Sequence, residues 1–257
     1  MENPFVMDLV SILLRWIHVV AGIMWIGLLY WFNFVNAPFQ GTIEGDTKKA
    51  VAVEMFPRVL YWFRWGAMYT WVTGVVMLLT IFYMGGLMFE MDGGWGLPSY
   101  ISLAVVFFGF FIYNWLYNGP LIKNDMIATA ISAVLVAAVL WLFESWAGWT
   151  YRGYVIHLGA MFGTFMMMNV WMVIWPAQKK IIPAIKAGEA PDAALLAKAG
   201  MRSKHNTYMS VPLVWTMLNA HSVTVGADSR YFLWGVVVIG WFIVSLLYKK
   251  SAKVGGM

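Results

Sequence analysis

The 257-residue chain contains no cysteine. That absence excludes disulfides, thiolate-held zinc, cysteine-ligated iron–sulfur clusters and c-type haem attachment, so any metal must be held by His, Met, carboxylate or backbone. Charge is equally scarce: 11% of residues are Asp, Glu, Lys or Arg against 61% hydrophobic, whereas a soluble domain is about a quarter charged. A soluble fold is excluded by that balance. Histidine occurs only as His18, His157, His205 and His221. Each falls in or at the end of a hydrophobic run, where an ionisable side chain is costly and signals function by default. The N-terminus carries Glu2 and Asp8 and lacks a basic segment, so no cleavable signal is expected and the first hydrophobic run stays in the mature chain.

What the chain has instead is hydrophobic runs of about 20 residues, the length a spanning helix needs. Seven are predicted, near 8–35, 57–88, 99–118, 124–147, 151–176, 205–223 and 230–248. They define an all-α, polytopic membrane helix bundle forming one domain over 1–257. The connections 37–56 and 177–204 read as long and amphipathic, both on one side of the bilayer. That side and the C-terminus collect Lys48, Lys49, Arg58, Lys123, Lys179, Lys180, Lys186, Lys198, Arg202, Lys204, Lys249, Lys250 and Lys253, while the other side has Arg152 and Arg230. By the positive-inside rule the N-terminus lies outside and the C-terminus inside. The net charge of +5 is therefore topological, and no nucleic-acid partner is implied. Trp141, Trp146, Trp149 and Tyr151 read as an aromatic belt at the outer interface. Pro212 removes a backbone donor from the sixth span and predicts a kink there.

Depth sorts the histidines. At about 1.5 Å per residue, His18 lies roughly 15 Å and His157 roughly 9 Å below the outer ends of their spans, and His221 lies close to the outer end of its own. These three are the candidate metal and cofactor ligands. His205 sits about 24 Å along the same helix from His221, so it cannot share an iron with it. His205 reads as an interfacial polar residue, a ligand of a second haem, or a proton-handling group. Axial histidine is the usual way to hold a haem b, and His18 with His157 gives the closest depth match, His157 with His221 the next. Gly22 and Trp25 follow His18 on one helical face and suit a flat ring. Gly159 and Gly163 after His157 form a small-xxx-small pair that permits close helix approach.

Two arginines and a glutamate stand out. Arg15, one turn before His18, suits a haem propionate, and Arg64 suits a snorkelling cation at the interface. Glu144 is expected to pair with Arg152, to touch substrate, or to sit at the interface. The run Met166-Met167-Met168 points three ways around a helix and reads as apolar filler. No carboxylate or base forms a recognisable catalytic dyad, so catalytic residues are not identifiable.

The segment from Arg15-Trp16-Ile17-His18 through Gly22 and Trp25-Ile26-Gly27 to Tyr30-Trp31-Phe32 resembles the first span of the membrane-bound urate oxidase N-terminal domain family. Arg202-Ser203-Lys204-His205-Asn206-Thr207-Tyr208 with the span ending at His221 resembles the same family, as does His157 through Asn169 to Pro176-Ala177-Gln178-Lys179-Lys180. The Trp-x-His span also resembles the bacterial membrane protoporphyrinogen oxidases. The urate oxidase resemblance implies a bacterial inner-membrane protein of purine catabolism that oxidises urate to 5-hydroxyisourate and passes electrons to a respiratory carrier. Family members known for that activity carry an additional span and a C-terminal cytochrome c domain. This chain stops at Met257 without either, so a separate cytochrome c or a larger respiratory complex is the expected acceptor. The remaining alternatives are a non-catalytic cytochrome b subunit that relays electrons and a haem-free transporter or copper permease.

Overall fold

A computed structural model describes residues 4–86, 95–118, 124–220 and 229–255. Among them there is no strand. The helices are α1 (Pro4–Tyr30), α2 (Ala37–Gln40), α3 (Gly45–Ala50), α4 (Phe56–Met77), α5 (Leu97–Asn118), α6 (Asp125–Trp141), α7 (Tyr151–Met168), α8 (Trp175–Ala187), α9 (Ala193–Asn219) and α10 (Arg230–Ser251). Five π-helical segments continue them: Trp31–Asn36, Val51–Met55, Leu78–Met84, Leu142–Trp146 and Asn169–Ile174. Each such segment accommodates an extra residue in the turn, which shifts the face that the helix presents beyond it.

Six stretches of the described residues are long and apolar enough to cross a membrane: Asp8–Gln40, Gly45–Met84, Leu97–Asn118, Met126–Trp146, Tyr151–Ala187 and Arg230–Ser251. They match six of the seven predicted spans. Helix also occupies both connections that the sequence presents as amphipathic linkers. The first span runs on to Gln40 and the second begins at Gly45, so only 41–44 separate them. The fifth continues through α8, and residues 205–219 of the sixth predicted span, 205–223, are part of the longer and more polar α9, the last three lying outside the described residues. That helix is continuous through Pro212.

Outward apolar stripes explain why these helices need lipid. α1 exposes Ile12, Trp16, Val19, Val20 and Ile23 and buries Ala21, Trp25 and Leu29, the four-residue recurrence of one helical face. α5 likewise exposes Phe108, Ile112 and Trp115 while burying Ser102, Val106 and Phe110. Faces of this kind have no favourable place in water. The chain is a multi-pass membrane protein.

The chain divides into two compact units. The first comprises Met1–Gly74, Met166–Ser210 and Ile243–Met257. Within it Ala177 and Ile181 of α8 are buried with Ala199 of α9, with Ile185 and Leu195 packed against them. The second comprises Val75–Phe165 and Val211–Phe242. There α7 and α9 meet closely at Gly159, where a Cβ would lie 2.8 Å from Met217 Cε and also collide with Thr216. The close approach expected of the Gly159/Gly163 pair is thus made at Gly159; at Gly163 a Cβ would meet Leu213 at an ordinary 3.9 Å. Arg230 pairs with Glu144 and also bonds Ser145 in this unit. Glu144 therefore has Arg230 as its partner, where the sequence suggested Arg152.

Candidate functional site

His18 belongs to the first unit and lies on the face of α1 turned to α4. Its Nδ1 is 3.1 Å from Thr73 Oγ1. The Thr73 hydroxyl hydrogen is directed to the carbonyls of Tyr69 and Thr70, at 2.6 and 3.1 Å, which leaves the oxygen free to accept. Nδ1 is then the protonated nitrogen, and Nε2 carries the lone pair. The ring also bonds the Thr70 backbone, and among the described residues Nε2 has no side-chain partner. Gly74 makes this pose possible, since a Cβ there would stand 3.0 Å from His18 Cε1. Gly22, by contrast, would carry a Cβ at an ordinary 3.7 Å from Thr70, so its smallness is not what seats the histidine.

Seven residues further along α1, Trp25 is 1% exposed, and its indole Nε1 has no hydrogen-bond partner among the described residues. A buried indole N–H usually finds an acceptor. A free imidazole lone pair and an unspent N–H donor on one helix fit a planar group that needs an axial nitrogen and carries acceptors at its edge. These residues would hold a haem b through His18 Nε2. Arg15 is exposed on the same helix.

His157 is built differently. It is fully buried in the second unit. Nδ1 donates to the Gly153 carbonyl at 2.8 Å, so Nε2 must accept, and Tyr83 supplies the phenolic proton at 2.7 Å. The ring lies parallel to Trp149, with centroids 5.7 Å apart and planes at 5°, and Phe143 packs against it at 5.1 Å. Trp149 in turn donates to Ser102 Oγ at 2.8 Å. Both ring nitrogens of His157 are committed to protein, and iron would have to displace Tyr83 to reach Nε2. Trp149, expected in an interfacial belt, is instead a buried wall of this histidine site; Trp141 and Trp146 are exposed.

His205 is half-buried on α9 in the first unit, and His221 lies outside the described residues. Arg64 is more than a snorkelling cation: its guanidinium lies 3.9 Å from the ring centre of Trp175, with Trp171 and Tyr61 also within 6 Å. Met166 and Met167 are buried, as filler should be. Arg202, counted above among the loop charges, is fully buried in α9.

Sequence reasoning missed Thr73, Gly74, Tyr83 and Phe143. Tyr83 and Phe143 come from the π segments Leu78–Met84 and Leu142–Trp146, whose altered phase a regular helical reading does not anticipate.

Apolar outward faces on six long helices define the class: an α-helical, multi-pass membrane protein. The chain belongs to the urate oxidase N-terminal family, which it matches over residues 4–254. Neither the curated proteins nor the solved structures give a match.

Proposed function

We propose that the chain is a membrane haem b oxidoreductase that takes electrons from urate and delivers them to a separate cytochrome c or respiratory complex at a bacterial inner membrane. The observation that supports the haem is His18, whose Nδ1 lies 3.1 Å from Thr73 Oγ1 and whose Nε2 meets no side-chain partner among the described residues. The family carries the substrate class. Conversion of urate to 5-hydroxyisourate adds the oxygen of one water and releases two electrons and two protons. When bound, haem b supplies one-electron redox chemistry between that two-electron reductant and a one-electron carrier.

The protein's own part is orientation and tuning. Thr73 fixes the tautomer and ring angle of His18, as partners of metal-bound histidines do. Trp25 offers a donor at the same helix face. His205, on α9 of the same unit, is the candidate ligand of a second haem.

The test is a visible spectrum of the purified, haem-replete chain, followed by anaerobic addition of urate with and without a soluble c-type cytochrome. A Soret band, urate-dependent haem reduction and reduction of the added cytochrome are expected. Absence of bound haem would overturn the cofactor. Haem that urate fails to reduce would leave a relay cytochrome in place of a urate oxidase.

A further inference from the structure

The most costly feature of the first unit uses none of the residues of the His18 site. Arg202, Asn206, Thr207 and Ser210 of α9 and Asn169 at the head of the π segment Asn169–Ile174 are all fully buried. Among the described residues Arg202 is the one charged side chain in the buried class. Asn169 Nδ2 donates to Asn206 Oδ1 at 2.8 Å, and Asn206 Nδ2 donates to the Met166 carbonyl at 3.0 Å. Arg202 is one helical turn from Asn206, on the same face of α9.

Stability alone does not account for this grouping. A buried ion is costly to desolvate even when it is well bonded, and apolar residues of like volume usually serve as well or better. In a membrane such groups mark function by default.

We propose that Arg202, Asn206 and Asn169 form the recognition site for a planar, anionic cyclic ureide, the chemical class to which urate belongs; this rests on the urate reading given above. A guanidinium presents a flat fork of donors that matches a delocalised anion. A carboxamide offers one acceptor beside two donors, which complements the alternating N–H and C=O of a ureide edge. Asn206 spends its amide on Asn169 and the Met166 carbonyl, so a bound ureide edge takes the place of the contact between the two asparagines. Asn169 opens the π segment Asn169–Ile174, and such segments are frequent at functional sites.

The test is equilibrium binding of radiolabelled urate to the full chain in nanodiscs, beside 1,3-dimethylurate, whose methylated edge cannot donate. The wild type is expected to favour urate. Arg202→Lys keeps the charge but loses the fork, and the near-isosteric Asn206→Asp sets a carboxylate against the anion; each is expected to weaken urate binding by about tenfold or more, the loss of one hydrogen bond to a charged group. Tryptophan fluorescence on heating reports whether each variant is folded, and Asn169→Ala replaces one that is not. Folded variants that bind urate as the wild type does overturn the site and leave the urate reading standing, as does a wild type indifferent to methylation. A wild type that neither binds urate nor passes its electrons to haem overturns the urate reading and this ligand with it.

Discussion

At the scale of single residues, two histidines of one chain have opposite chemistry because of their neighbours. His18 bonds the Thr73 hydroxyl and the Thr70 backbone on one side of α1, whereas His157 spends both nitrogens on Gly153 and Tyr83. The difference can be measured. His18→Ala is expected to abolish the haem spectrum, while Thr73→Val keeps the ligand but removes its hydrogen-bond partner and is expected to weaken haem retention by about 10- to 100-fold; haem titration of the apo-protein checks both. Tyr83→Phe leaves a buried imidazole acceptor without its donor, at a cost of about 1–3 kcal/mol. The expected outcome is a lower unfolding temperature with the haem spectrum unchanged. A lost spectrum in that variant would show that the Tyr83 side supports the iron after all.

At the scale of elements, the hydrophobic runs of six spans were legible because each satisfies a length and an outward stripe that lipid demands. Their ends were less legible. Asn36, Ala52 and Ile181 continue helices into stretches that look like polar linkers, since each sits on a buried face of an otherwise mixed segment. Of the site residues, His18 and Trp25 could be read from the four-residue recurrence along α1. Tyr83 and Phe143 could not, because they lie within π segments that depart from that recurrence. Glu144 was visible as a charge needing a partner, but Arg230 is 86 residues away in the chain, and only the fold chooses it over Arg152. The close packing of α7 on α9 gives an element-scale prediction. Gly159→Leu forces α7 away from Thr216 and Met217 and is expected to destabilise the chain by about 1–3 kcal/mol or more, read as a lower midpoint in thermal unfolding, whereas Gly163→Ala is expected to be near neutral.

At the scale of the whole molecule, the cysteine-free sequence is itself an experimental asset for topology. One introduced cysteine is the only thiol present. A cysteine at exposed Lys186 is expected to react with an impermeant label only after the inner membrane is opened, and one at Ser222 before it is opened; the reverse pattern would invert the orientation. Burial of Arg202 removes one charge from the solvated set but leaves Lys179, Lys180, Lys186, Lys198 and Lys204 on that side, so the positive-inside argument keeps its sign.

The π segments carry a last consequence, in the language of insertions and deletions. A turn that holds one residue too many becomes an ordinary α turn when one residue is deleted, and every side chain beyond it then swings by about 100° around the helix axis. Deleting one residue within Asn169–Ile174 would therefore turn the apolar face of α8 away from α9, although no contact residue had been substituted. Relatives of this chain should tolerate many substitutions inside these segments and very few changes of length.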